Sequence, residues 1–146
     1  MNAYARGETM SHLRDAHRVC SHLLPVGEGV WETECAVRLW PGEPVAVCFA
    51  VLNAPDGPSS ATALILGEIA ASLGTLWPAI EAELLGLTQT KHAWKLLSRL
   101  ERLSVEVHEG SAGWTVHATF SGARLAGTSF FVDIEGGAVV GATACD

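Results

Sequence analysis

Apolar positions along the chain follow two periods, one helical and one alternating, and each change of period marks an element boundary. Residues 1–10 show neither and read as a loose tail ahead of a single domain over 11–146. Within 11–24, Leu13, Ala16, Cys20, Leu23 and Leu24 recur at helical spacing while Arg14, Asp15 and Arg18 point elsewhere. This predicts a short N-terminal helix, ended by Pro25 and the glycines at 27 and 29. The period then shortens to two: Trp31, Thr33, Cys35, Val37 and Leu39 alternate with Glu32, Glu34 and Arg38, as in a strand with one wet face. After the turn residues Pro41 to Pro44, the stretch 45–52 is apolar throughout and is expected inside the sheet, covered on both faces.

Helical spacing returns after the loop over 53–58, with Ser59 or Ser60 as cap. Ile65, Ile69, Leu73, Leu76, Ile80, Leu84 and Leu87 step by 4, 4, 3, 4, 4 and 3, which predicts one stripe along a helix over 61–87. Pro78 lies within it. A proline lacks the N–H and collides with the carbonyl four residues back, here that of Gly74, so a kink or break is expected between the two. The opposite face, Ala71, Ser72, Thr75, Ala79, Ala82 and Gly86, is small throughout: a plain exposed surface, or one that another helix or subunit approaches closely. A second helix is predicted from a cap at Thr88 or Thr90 through Leu103, with Ala93, Leu96, Leu97, Leu100 and Leu103 inward. Alternating stretches at 103–108, 114–120, 128–134 and 138–144, joined by short glycine turns, then predict an antiparallel meander. The sum is an α+β fold: an antiparallel sheet of five to six strands packed against a long bent central helix and a second helix, with the short N-terminal helix added.

Composition narrows the function classes. With 146 residues, 49% hydrophobic and 17% charged, the chain can bury a core without staples, and its apolar excess leaves surface for a partner or a second copy. A net charge of −7 argues against general binding to DNA or RNA, which needs a basic footprint. Residues 1–7 lack the apolar run of a secretory signal, and the apolar stretches, 45–52 and 61–66, are too short for a membrane span, so a cytoplasmic location is expected. Cys20, Cys35, Cys48 and Cys145 form no C-x-x-C pair and are expected as reduced thiols.

The motifs of nucleophilic and phosphate chemistry, G-x-S-x-G, the P-loop, G-x-G-x-x-G and H-E-x-x-H, are missing from the sequence, so no catalytic residue or cofactor is assigned. His12, His17 and His22 are five apart, about 140° around a helix, and cannot converge on one metal ion. Charge is more informative. Lys91, Lys95, Arg99 and Arg102 step by 4, 4 and 3 along the second helix, either a solvated face or a handle for an acidic protein partner. Glu28, Glu32, Glu34 and Glu43 collect around the first hairpin, either a rim for a basic partner such as a nuclease-like toxin or protection against sheet aggregation. If the hairpin turns at 110–113, Glu106 sits opposite His117 as a polar pair, able to act as an acid/base couple or only as an ion pair.

The order strand, Trp40-Pro-Gly-Glu-Pro-Val45, strand, long helix with Trp77, Leu84-Leu-Gly-Leu87, short helix and a meander containing F-F-V-D-I-E-G-G-A-V-V-G at 130–141 resembles small uncharacterised bacterial α+β domains. Some of these are grouped with immunity proteins of polymorphic toxin systems. The resemblance spans residues 30–141 and rests on spacing, turns and apolar positions. It implies a cytosolic, non-enzymatic protein that neutralises a cognate toxin by surface complementarity, and it carries over no binding residues. Two other classes stay open. One is a small-ligand-binding protein or acid/base enzyme with a pocket between helix and sheet, using Glu68, Glu106, His108 and His117. The other is an acidic, dimeric secretion chaperone, which requires a terminal helix where strands are read.

Overall fold

A strand that turns straight back pairs antiparallel, whereas one that returns after a long crossover can pair parallel. Both kinds occur in the computed structural model, which describes residues 23–40 and 44–146. Seven strands form one sheet in chain order: β1 (Leu24–Gly27), β2 (Val30–Val37), β3 (Val45–Leu52), β4 (Leu100–His108), β5 (Trp114–Phe120), β6 (Ser129–Glu135) and β7 (Ala138–Cys145). Two helices, α1 (Ser60–Thr88) and α2 (Ala93–Arg99), lie between β3 and β4 in sequence. The fold is α+β as expected, but the sheet is mixed, with seven strands rather than five or six. β3 and β4 run parallel, from Cys48 beside Ser104 to Leu52 beside His108, because the chain travels through both helices before it re-enters the sheet. The other neighbours are antiparallel, and the β6–β7 hairpin turns on Gly136 and Gly137, both at positive φ (59° and 75°), where a side chain would strain the backbone.

The additional strand is β1. Pro25 and Gly27 read as helix terminators in the sequence, but they sit on an edge strand with a bulge between them, where a missing N–H is tolerated. Leu24, expected at the end of an N-terminal helix, is therefore in a strand. Residues 11–22 of that helix, the tail over 1–10 and Glu43 lie outside the described residues.

α1 organises the core. The Ser59 hydroxyl caps it by accepting the Thr62 N–H at 3.2 Å, and Gln89 closes it in the left-handed conformation (φ 54°). Pro78 does not break the helix: it and Gly74 are both exposed, so the Gly74 carbonyl that loses its N–H partner can turn to water. The buried seam is Thr62, Leu66, Gly67, Ile69, Leu73, Trp77, Ile80, Leu84 and Thr88. It shares four residues with the predicted stripe, Ile69, Leu73, Ile80 and Leu84, whereas Ile65, Leu76 and Leu87 are only half-buried. Trp77 has more apolar area to remove from water than its neighbour Leu76 and takes the centre of the contact. The small-residue face divides, with Ala71 and Ser72 half-buried and Thr75, Ala79, Ala82 and Gly86 exposed. By length and composition α1 would suffice to cross a membrane, a test that the core helix of a soluble protein also passes.

Under α1 the sheet contributes Val47, Phe49 and Val51 from β3, Val105 and Val107 from β4, Val116 and Ala118 from β5, and Val132 and Ile134 from β6. Trp40, just after β2, meets Trp77 edge-on with ring centroids 4.7 Å apart. Both indole N–H groups donate to the same Glu81 carboxylate oxygen, that of Trp77 at 3.1 Å. Trp40 thereby fixes the end of β2 to the Trp77–Glu81 turn in the middle of α1. The second helix is shorter than expected. Leu100 is extended (ψ 122°), and from Leu103 the alternation Leu103, Val105, Val107 takes over, because a strand there is hydrogen-bonded by β3 on one side and β5 on the other.

Candidate functional site

Alternation sends every second residue of β2 to β6 away from the helices, and the register aligns these residues into rows. One row crosses the sheet as Glu34, Cys48, Ser104, His117, Phe131 and Thr143, and the next as Glu32, Ala50, Glu106, Thr115, Asp133 and Gly141. No described helix lies over them. β3 is buried on both faces, as its all-apolar pattern predicts, but on this side the cover is not a second layer. Cys48 and Ala50 are small and sit low between longer neighbours, with Arg102 reaching across to the Cys48 sulfur.

Over β1 to β4 this open face sinks into a groove of about 840 Å³. Leu24 and Val26, both more than half exposed, supply apolar surface at the sheet edge. Glu32, Glu34, Glu101 and Arg102 supply charge, and Ala46 and Cys48 also line it. Arg102 makes several contacts at once: its Nη2 lies 3.7 Å from Glu32 Oε1 and donates to Cys48 Sγ at 3.7 Å, while its Nε donates to Ser104 Oγ at 3.3 Å. With Arg102 facing Glu32, Glu34 and Glu101 leave the groove net negative.

The predicted basic ridge therefore does not form as a set of four. Lys95 and Arg99 are exposed one turn apart on α2 and Lys91 precedes the helix, but Arg102 belongs to β4 and turns to the open face. In the acidic rim, Glu28 is exposed in the β1–β2 turn, while Glu32 and Glu34 stand together on the open face. Glu106 is opposite Thr115, and His117 is opposite Ser104, two residues along from the expected alignment. The two side chains still meet diagonally, His117 Nδ1 lying 3.2 Å from Glu106 Oε1, each 26% exposed. The His117 ring stacks on Phe131 at 4.5 Å, and its Nε2 is buried without a hydrogen-bond partner. His108 Nδ1 instead contacts Asn53 Nδ2 at 2.7 Å, and Glu68 is exposed on α1. Glu106 and His117 lie on the sheet face turned away from the helices and Glu68 is exposed on α1, so Glu68, Glu106, His108 and His117 are not brought together between helix and sheet, where apolar side chains pack. Among the described residues no three His, Cys, Asp or Glu side chains group as a metal site, and His12, His17 and His22 lie outside those residues.

Burial pushes the Cys48 thiol above its ordinary value near 9, the Glu32 carboxylate adds to this, and Arg102 opposes it. Cys48 is thus a protonated thiol rather than a nucleophile. The unfolded chain releases this proton as pH passes about 9 while the folded chain still holds it, so the folded state binds more protons and loses stability as pH rises. Cys48→Ala is expected to flatten the decline of the urea midpoint above about pH 9. A slope equal to that of the wild type would show that the thiol titrates normally in the fold.

Sequence reasoning missed Leu24, Val26, Cys48 and the direction of Arg102. The uniformly apolar stretch 45–52 gives no sign of which face Cys48 takes in the site, and only the pairing with β4 brings Arg102 to it. No family model, curated protein or solved structure matches the chain. Its class is that of an α+β domain with a mixed seven-stranded sheet, helices on one face and, among the described residues, an acidic face without a covering helix on the other.

Proposed function

We propose that the chain is a cytoplasmic protein-binding module of the immunity type, whose open sheet face receives a cationic segment of a partner protein. The groove is the observation that carries this reading: it combines exposed apolar residues, Leu24 and Val26, with carboxylates that outnumber the single guanidinium lining it. Glu106 and Asp133 continue the negative charge across the sheet. A toxin that acts on nucleic acid must present lysines and arginines to phosphates. A face of ordered carboxylates meets that surface with complementary charge and accelerates encounter. The apolar rim adds the dry contact that charge alone lacks. The acid/base alternative has the Glu106–His117 contact in its favour, but the nitrogen left to take a proton, His117 Nε2, is buried away from any solvent-borne substrate.

Titration of a labelled arginine- and leucine-containing peptide, followed by fluorescence anisotropy, tests the reading. The wild type is expected to bind it, more weakly as salt rises, and the double variant Glu32→Lys, Glu34→Lys to bind at least about tenfold more weakly, or about 1.4 kcal/mol. Equal binding by the double variant, or equally tight binding of a glutamate-rich peptide, would remove it.

A further inference from the structure

We infer that residues 1–22 of this chain fold back over the open sheet face and occupy its groove, so that the free protein covers its own binding surface. The groove measures about 840 Å³, and no residue of α1 or α2 lines it. The place where the chain enters the sheet identifies the occupant. Leu24, at the start of β1, lines the groove and pairs with Glu32. In an antiparallel ladder the residues ahead of it therefore arrive beside Thr33 and Glu34, which line the groove too. Leu23 packs against the core and anchors this entry. Residues 1–22 are thus tethered at the rim, where a short tether keeps a segment at high effective concentration.

Length, shape and charge agree with this occupant. As a helix, residues 11–22 span about 18 Å, against about 14 Å for the three strand spacings from β1 to β4. The floor is made of small side chains, Ala46 and Cys48, with Ala36 paired beside Ala46, so a helix can approach the sheet closely. Leu24 and Val26 add exposed apolar surface at the edge, and the segment carries a matching stripe in Leu13, Ala16 and Cys20. Arg6, Arg14 and Arg18 outnumber Glu8 and Asp15 within it, whereas the chain as a whole carries −7 and the groove is net negative. This segment and the cationic segment of a partner contend for one surface, a competition that rests on the reading of the groove proposed above. The docking itself does not.

Site-resolved thiol labelling of the full chain tests the docking. Modification by N-ethylmaleimide is followed by mass spectrometry at Cys48 on the groove floor, with Cys145, exposed on β7 at the far edge of the sheet, as internal control. Leu13→Asp combined with Ala16→Asp sets two carboxylates against the negative groove, and the described core contains neither position, so the wild-type thermal melt is expected to persist. The Cys48 rate is expected to rise about tenfold, the change that follows when a cover present on about nine molecules in ten is lost. Arg14→Glu combined with Arg18→Glu is expected to raise it in the same direction, with the Cys145 rate constant throughout. A Cys48 rate equal to that of the wild type in both variants, or a rise matched at Cys145, would overturn the inference. The arginine- and leucine-containing peptide separates the two proposals: the variants are expected to bind it more tightly than the wild type. Faster Cys48 labelling with no peptide binding by any of the chains would leave the docking standing and remove the cationic partner.

Discussion

Trp77→Ala is expected to lower the free energy of unfolding by about 3–5 kcal/mol, a large part of the 5–15 kcal/mol typical of a domain. The indole is 2% exposed, the largest side chain fully enclosed by the core, and it lies between α1 and the sheet. Its removal leaves a cavity, strips Trp40 of its edge-on contact and takes one of two N–H donors from the Glu81 carboxylate. Glu81→Gln is expected to cost less, about 1 kcal/mol, since the amide oxygen can still accept from either indole. Leu76→Ala gives the sharper comparison. Leu76 is only half-buried, so its loss is expected to cost about 1 kcal/mol. Urea midpoints for the two alanine variants decide which stripe of α1 faces the sheet, and similar losses for both would mean that the Trp77 seam is not the packed one.

That comparison also shows how far the sequence reaches. The existence of α1, its cap and four of its seam residues follow from apolar spacing, because amphipathic helices announce their period over many turns. The phase of the stripe does not, since Ile65-Leu66 and Leu76-Trp77 offer adjacent apolar residues and only the surface beneath chooses between them. Residues 100–103 pose the same problem: Leu96, Leu97, Leu100 and Leu103 fit a helix, while Leu103, Val105 and Val107 fit a strand. Pairing with β5 over these residues, joined by β3 from Ser104 onward, settles the contest in favour of β4, and with it the direction of Arg102. β1 was illegible because four residues are too few to display a period, and their proline and glycine carry a stronger local signal. The wet face of β2 was legible from Glu32 and Glu34, and the meeting of Glu106 with His117 was legible to within two residues of register. That these residues share one uncovered surface was not, because rows across a sheet depend on register between strands far apart in sequence.

One step along β4 separates the two faces, so adjacent substitutions can separate folding from recognition. Val105 is fully buried, with Phe49 beside it on β3 and Val116 on β5. Val105→Asp removes about 1.5–3 kcal/mol of apolar burial and places a carboxylate among hydrocarbon, where an unpaired charge costs several kcal/mol more. The sum is of the order of the whole stability of a domain, and the variant is expected to lack the wild-type thermal transition. Glu106→Ala should leave that transition almost unchanged. Its contact with His117 is partly exposed, and such a pair contributes at most about 1 kcal/mol. Its charge nevertheless belongs to the open face, so affinity for the cationic peptide is expected to fall severalfold, with a weaker dependence on salt. Thermal melts and peptide titrations on the two variants check both halves. A cooperative, wild-type-like melt for Val105→Asp would mean that no helical layer covers that face. Unfolding of Glu106→Ala would mean that the face proposed for recognition is itself enclosed.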